Sequence, residues 1–504
     1  MIARKSALYI TIQLLNGIIG FIGLKFIALY MQPWEYGVVA FAFGFVTLFS
    51  IFGDLAFGSA HIKRISEGKD LEKCVSTYAV IKITLTGLLA SITILSIAIW
   101  RYVFGRGFET PLHEQAIYLL LAYYVLYNLS QVFTITFNAK KEIAKVQIPT
   151  LLFTLTRVFI TIFVAYFGLG ILALAYTYIL GEIIHFIVSY YFFRKYTVKK
   201  LSIDYLKSYT KFAFPMAIAS AAYIIILNVD KIFIQLFWGA QQVGEYSAVF
   251  NLSRFILNFS SAVVVLLLPT ISEYHAKNKM DDIRKITLKS ERYLSMITFP
   301  IVILLVVLAK PVIHILLSDK YLPALIVLQI LPFFVLFEVL SQPYQSQLQG
   351  INMPHIVRNR ILIMMIVSII LNLILVPTDI KSLGIKLAGL GATGSAIAIV
   401  IAYFVGFITT RMYAFRIANM IGNKRILLHI FAGILMGITI YFIQTIVNIS
   451  RWHELIGICL FGLLFYFYIL ILVKEFNKKD LNLFLDTINI KKMLSYIWSE
   501  LRKK

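Results

Sequence analysis

Five basic residues stand inside long apolar runs: Lys25, Lys82, Arg157, Lys231 and Arg254. Four acids do the same, Asp54, Glu182, Asp230 and Glu338, with His185 one helical turn from Glu182. An ionisable side chain in hydrocarbon is costly unless it meets a partner or a wet cavity, so each is a candidate for handling a ligand or an ion. Guanidinium forks take phosphate oxygens in pairs and lysine offers a point charge, so the cations suit an anionic substrate. The acids suit reversible binding of a coupling proton or sodium ion. The competing role for any of these residues is an ion pair that stitches helices together, as Lys82 with Asp54 would. Lys310, directly before Pro311, lies close enough to the end of its run to snorkel and is set aside.

No other motif points to catalysis. There is no His-Glu-x-x-His, no paired-cysteine motif, no Gly-x-Ser-x-Gly and no Walker loop, so neither an enzyme nor an ATP-driven pump is expected. No cofactor or metal is expected. Gly389-Leu-Gly391-Ala-Thr-Gly394 has the spacing of a dinucleotide loop but opens an apolar run with no strand before it, so it reads as helix-packing glycine. Cys74 and Cys459 are the only cysteines and indicate no disulfide framework. The Asn448 sequon would be glycosylated only in a eukaryotic secretory setting.

The elements that carry the charges follow from composition. The chain has 504 residues, of which 60% are hydrophobic and 14% charged. Its mean hydropathy is +0.85. A water-soluble fold would have to expose much of that apolar surface, which leaves a polytopic membrane protein. A helix crossing the hydrocarbon needs roughly 20 apolar residues. Fourteen such runs can be read, at 8–30, 38–60, 75–100, 115–137, 146–167, 170–193, 212–237, 246–270, 293–317, 324–349, 361–377, 387–410, 426–447 and 454–473. They nearly exhaust the chain, so no large extramembrane domain is expected. The first run is too long for a cleavable leader.

With the N-terminus placed in the cytoplasm, 35 of the 47 Lys and Arg fall in inner segments and 6 in outer loops. This bias fixes the orientation and puts both termini in the cytoplasm. It also accounts for most of the +23 net charge, so nucleic acid is not an expected partner. Two inner segments are amphipathic. Leu201, Tyr205, Leu206 and Tyr209 recur at helical spacing, as do Leu481, Phe484, Leu485, Ile488, Leu494, Ile497, Trp498 and Leu501. Both are expected to lie on lipid headgroups.

An internal repeat runs through the spans. Lys25 is followed after span one by Glu35-Tyr36-Gly37-Val-Val39, and Lys231 after span seven by Glu245-Tyr246-Ser-Ala-Val249. The offset is 210 residues. Gly168-Leu-Gly170 before span six and Gly389-Leu-Gly391 before span twelve echo each other at an offset of 221. The expected fold is an all-α integral membrane protein of about fourteen helices. It has an N-terminal six-helix lobe (1–195), a cytoplasmic amphipathic linker (196–211) and a C-terminal six-helix lobe (212–412). Two extra helices (413–473) and a cytoplasmic amphipathic tail (474–504) complete it. Bundles of this kind carry substrate between lobes by rocking.

Several short motifs carry a family resemblance. They are Pro33-Trp-Glu-Tyr-Gly37, Gly53-Asp54-Leu-Ala-Phe-Gly58, Phe212-Ala-Phe-Pro215 with Asp230-Lys231 fifteen residues on, Val243-Gly-Glu-Tyr246, Ala309-Lys-Pro311 and Tyr321-Leu-Pro-Ala324. Through most of 1–412 the chain resembles bacterial polysaccharide repeat-unit flippases. These are the O-antigen and capsule translocases of the multidrug/oligosaccharidyl-lipid/polysaccharide exporter superfamily. The resemblance implies two six-helix lobes plus two helices in the bacterial inner (plasma) membrane. It implies transfer of polyprenyl-diphosphate-linked oligosaccharide from the inner to the outer leaflet, a cationic lumen and coupling to a proton or sodium gradient. Membrane lipids and polysaccharide assembly proteins are the further partners it implies.

Motif position carries Lys25, Asp54, Asp230, Lys231 and Arg254 into that picture. Lys82, Arg157, Glu182 and Glu338 come from the physical reading alone. Three alternatives stand beside it: a peptidoglycan lipid-precursor flippase, a drug/cation antiporter of the same superfamily, and a membrane-embedded glycan polymerase. The antiporter predicts a lumen dominated by acids, whereas cations outnumber acids here. The polymerase predicts large outer loops, whereas these are short.

Overall fold

In hydrocarbon every backbone N–H and C=O must find its partner within the chain, and the helix meets that demand segment by segment. The computed structural model is accordingly almost wholly helical and describes residues 2–103, 107–196, 202–380, 385–478 and 480. Its helices are α1 (Ile2–Tyr30), α2 (Pro33–Phe49), α3 (Phe57–Ser66), α4 (Leu71–Tyr102), α5 (Pro111–Ala139), α6 (Ile143–Tyr166) and α7 (Ile171–Phe193). They continue as α8 (Ile203–Ile226), α9 (Val229–Trp238), α10 (Ala240–Arg254), α11 (Leu257–Ala276), α12 (Met280–Val307) and α13 (Ala309–Val312). The last are α14 (Leu325–Ile330), α15 (Pro332–Gly350), α16 (Pro354–Leu375), α17 (Gly391–Ala418), α18 (Ile426–Ile446) and α19 (Trp452–Leu472).

Among the described residues thirteen helical segments are long and apolar enough to cross a membrane. The remaining expected run, 246–270, falls on α10 and α11. Among the described residues the only strands are a two-residue antiparallel pair, β1 (Asp379–Ile380) with β2 (Ile385–Lys386), between α16 and α17.

The chain forms two compact units: Leu15–Ser247 with Ser368–Ser395, and Met1–Leu14 with Ala248–Val367 and Ala396–Lys504. In the first, α7 packs along both α5 and α6, and α2 lies against α5. Helices α8 and α9, which the sequence reading places at the head of the second lobe, pack in this unit against α3 and α2 respectively. Tyr209 is wholly buried there, in a cluster with Ala60, Tyr78, Ile81, Leu85 and Ala213, and Tyr205 and Leu206 pack against that cluster. Its hydroxyl meets His61 Nδ1 at 2.8 Å. These three apolar residues of the linker therefore pack against protein rather than headgroups. The expected amphipathic residue Leu201 and the tail stripe from Leu481 to Leu501 lie outside the described residues.

The two copies of the Glu-Tyr motif meet in this unit. A Cβ on Gly37 would run into the Ala240 carbonyl, and a Cβ on Gly244 into the Pro33 carbonyl. The openings of α2 and α10 thus touch main chain to main chain, as small-residue helix contacts in membranes do. Glu109 fastens the same corner, accepting 2.8 Å hydrogen bonds from the Ala240 N–H and from Gln235 Nε2. Trp238 Nε1 donates to the Val376 carbonyl at 2.8 Å, and its ring lies over Gly391. That contact is the packing role expected of the Gly389 motif.

In the second unit α12 is the hub, packed by α11, α15, α18 and α19. Spans thirteen and fourteen are attached to it through small residues: Gly433 and Gly437 lie on Ile303, and Gly462 on Leu304 and Ile440. An apolar groove of about 640 Å³ runs between α12, α15 and α18. Past α19 the chain is clasped by charge. Arg292 ion-pairs with Glu475 and takes both oxygens of Asp480 at 2.9 and 3.0 Å. Arg425 meets Glu475 at 3.0 Å, and Tyr293 donates to Asp480 at 2.8 Å.

Two outcomes follow. Gly37→Ala or Gly244→Ala should destabilise the protein by about 1–3 kcal/mol or more, as overpacking against main chain does. Gly87→Ala, whose Cβ meets nothing within 4 Å, should not. Thermal unfolding in detergent separates the two classes. For Asp480, burial raises the carboxyl, but hydrogen bonds from Arg292 and Tyr293 outweigh it and hold it below its ordinary 3.8. A depressed folded value contributes stability above 3.8 that is lost as pH falls through the folded value. Pepsin should therefore cut the segment after α19 faster as acidity increases below 3.8, and Asp480→Asn should remove that pH dependence.

Candidate functional site

Three of the charged spans, those of Asp54, of Asp230 with Lys231, and of Arg254, are not continuous helices. Helix α2 gives way to one 3₁₀ turn, Ser50–Gly53, and then Leu55 and Ala56 take left-handed φ of 44° and 61° before α3 begins. Asp54 sits on this break. Span seven breaks at Leu227–Asn228, and Asp230 and Lys231 occupy the first turn of α9. Span eight breaks after Arg254, the last residue of α10. Breaks at membrane depth free backbone groups and are tolerated where polar side chains answer them.

Lys82, on α4, answers the first break. Its ammonium donates to the Gly53 carbonyl at 2.7 Å, to Asn128 Oδ1 at 2.6 Å and to Asp54 Oδ1 at 3.3 Å, and the residue is wholly buried. An ammonium has three protons, and all three are engaged. Placing lysine in hydrocarbon costs about 2.5–3.5 kcal/mol on insertion scales. Three interhelical hydrogen bonds at about 0.6–1.7 kcal/mol each come to roughly 2–5 kcal/mol and offset it. In this structure Lys82 fastens α4 to the break, with all three ammonium protons engaged by the protein. Asp54 is held more loosely. Its carboxylate has contacts of 3.3–3.5 Å to Lys82, Tyr78 and Gly58, and its side chain is 42% exposed.

Arg157, on α6, is the opposite case. It is half-buried, lies 4.6 Å over the Tyr178 ring and 5.8 Å over Phe153, and among the described residues has no carboxylate partner. Its Nε is buried without a hydrogen bond. Aromatic residues surround it: Tyr123 stacks near Phe153 and Tyr178, and Tyr124 shares a 2.6 Å hydrogen bond with Thr47 of α2. On α7, one turn past Tyr178, Glu182 receives Ser130 Oγ at 2.6 Å and His185 Nδ1 at 2.8 Å. The expected Glu182–His185 proximity is present.

Asp230 is buried and accepts the Lys231 N–H at 2.8 Å. The Lys231 ammonium turns back to cap the end of α8, at 3.1 Å from the Leu227 carbonyl and 3.2 Å from Asn228 Oδ1. Its stem passes Gly44 of α2, which leaves room for it. Lys25 is half-buried on α1 and makes no hydrogen bond or ion pair among the described residues. Seven of the nine expected residues thus belong to one compact unit. Arg254 and Glu338 belong to the other. Arg254 is exposed over the Phe250 ring, and Glu338 is paired with Arg360 at 2.7 Å.

Sequence reasoning missed Arg360. It is 3% exposed and also donates to the Gly406 carbonyl at 3.1 Å, joining spans ten, eleven and twelve. The run at 361–377 began one residue too late to include it, although Pro354, a good first-turn residue, marks where the helix starts. A second missed knot joins buried Glu291, Tyr344 and Arg411, with the Tyr344 hydroxyl 2.6 Å from the acid. Among the described residues no cluster could hold a metal ion.

This architecture is that of a multi-span membrane protein with broken, charge-bearing helices. The polysaccharide biosynthesis protein family model matches residues 27–326, and the chain belongs to that family. It is 22% identical over 473 residues to the "Probable low-salt glycan biosynthesis flippase Agl15" of Haloferax volcanii, covering 92% of this chain and 94% of that one. It is 26% identical over 283 residues to an uncharacterised membrane protein of Methanocaldococcus jannaschii, covering 55% and 54%. Among solved structures it shares its fold with the lipid II flippase MurJ in an inward closed conformation. The TM-score is 0.74 at 17% identity, over 94% of this chain and 99% of that one. An inward-facing multidrug resistance MATE transporter of the MOP superfamily follows at TM-score 0.61 and 18% identity, over 79% and 94%.

Lys82→Met should leave the Gly53 carbonyl and Asn128 unanswered. We expect it to lower the melting temperature in detergent, by the equivalent of roughly 1–3 kcal/mol for two lost interhelical hydrogen bonds. Lys25→Met, which breaks no bond, should leave it unchanged.

Proposed function

We propose that the protein is a transporter rather than an enzyme, moving a polyprenyl-diphosphate-linked oligosaccharide from the inner to the outer leaflet of a bacterial plasma membrane. It would do so by alternating access, with both termini cytoplasmic and with the product feeding a surface polysaccharide such as O-antigen or capsule. The observation that carries this reading is Arg157. A guanidinium in a spanning helix, stacked on Tyr178 and unanswered by any carboxylate among the described residues, is prepared for an anion that they do not supply. A diphosphate offers the paired oxygens that a planar fork recognises.

Among the described residues no hydrogen bond or ion pair is made by Lys25 in the same unit, and the Lys231 ammonium there donates to the Leu227 carbonyl and Asn228 Oδ1. Arg254 is the further candidate, in the other unit. The matched family and the named glycan flippase among the relatives support the same substrate class. Asp54, Asp230, Glu182 and Glu338 are the candidates for the coupling ion, which would bias one state only by binding it better than the other.

In cells lacking the native gene, Arg157→Ala should reduce surface polysaccharide more than tenfold and leave lipid-linked oligosaccharide on the inner face. Lys substitution at 157 should restore part of the flux, since it keeps charge but not the fork. Export that is unchanged in the alanine variant, at equal protein level, rejects the role assigned to Arg157.

A further inference from the structure

The four acids inside the spans differ in what their partners can do. Lysine, arginine, amide and backbone N–H groups can only donate to a carboxylate. Asp54 faces Lys82, the Gly58 N–H and the Tyr78 hydroxyl, Asp230 takes the Lys231 N–H, and Glu338 takes the Arg360 guanidinium and the Gln345 amide. Each of these three acids thus has at least one partner that cannot accept a proton.

Glu182 has no such partner. Its Oε1 is bonded by the Ser130 hydroxyl and His185 Nδ1, each of which can donate or accept. Ser130 Oγ also lies 3.1 Å from the Leu126 carbonyl, so its single proton has two destinations. With Glu182 ionised, Ser130 donates to the carboxylate. With Glu182 protonated, the acid donates to Ser130 or His185, and the serine proton turns to Leu126. Both states keep their hydrogen bonds without displacing a heavy atom.

The surroundings suit a reversible site. Glu182 and His185 are 2% and 5% exposed. The titratable and charged groups facing them are few: Arg157 from α6, Tyr123 and Tyr127 from α5, and Tyr178 from α7. The titratable residues of α2, Glu35 and Tyr36, stand in its opening turns. Ser189, one turn past His185, is buried with its hydroxyl unbonded and extends the polar file along α7.

We propose that Glu182, with His185 and Ser130 as role-switching partners, is the site that takes up and releases the coupling proton. This deepens the transporter reading and rests on it only for the word coupling; the proton site itself stands on the geometry. Tyr178, on which Arg157 rests, is one turn before Glu182, so proton and anion would bind side by side.

The test is an infrared pH titration of the full-length protein in liposomes, with no substrate present. A protonated-carboxyl C=O band should titrate in the wild type, vanish in Glu182→Gln and persist in Asp54→Asn and Glu338→Gln. Ser130→Ala and His185→Asn keep the carboxyl. Each should move the midpoint by about one pH unit, the tenfold worth of one hydrogen bond. These two variants preserve the test should Glu182→Gln fail to fold. A titrating band that survives in Glu182→Gln, or that is lost in Asp54→Asn, overturns the proposal. So does a midpoint that neither Ser130→Ala nor His185→Asn moves. Because no substrate is used, these outcomes leave the role of Arg157 untouched, and failure of the export experiment would leave this one standing.

Discussion

A charge in hydrocarbon has to be answered, and most of this molecule's polar architecture is a set of answers. Lys82 is met on all three protons, Glu338 by Arg360, and Glu291 by Arg411 and Tyr344. Each answer ties helices that would otherwise be held only by the weak preferences of apolar surface in lipid. Against that background the residues that are not answered stand out. Arg157 rests on rings, Lys25 has no hydrogen bond or ion pair among the described residues, and Asp54 is held at long range.

The answered and unanswered groups depend on each other. Lys82 can hold Asn128 and the Gly53 carbonyl only because the helix opens between Ser50 and Ala56. The opening in turn leaves Asp54 half out in the open, at the mouth of α3. The left-handed φ at Leu55 and Ala56 is a strain that non-glycine residues adopt only where the surroundings impose it. Here the surroundings include the Lys82 ammonium on the Gly53 carbonyl and the buried cluster against which Leu55 packs.

Much of this was legible in the sequence. The fourteen apolar runs all fall on helices, because twenty apolar residues have no other way to satisfy their backbones. The Glu-Tyr echo identified two segments that prove to touch at Gly37 and Gly244. What was not legible depended on events below the resolution of hydropathy. A break at Asp54 or Asp230 leaves the run just as apolar. Arg360 was lost to a boundary error of one residue. Tyr209 looked like a headgroup-facing residue because its spacing fits an interfacial helix, and only the position of α3 and α4 shows that protein covers it. Which of several buried acids has partners able to exchange roles is a question of atoms, and no spacing rule reaches it.

The meeting of Gly37 with Ala240 and of Gly244 with Pro33 has an evolutionary consequence. Segments far apart in sequence ordinarily vary on their own schedules. Here each lacks a side chain where the other's peptide passes, so a methyl gained in one is a collision with the other. The two stretches are bound to a common fate at this point, and drift in either must be matched in the other.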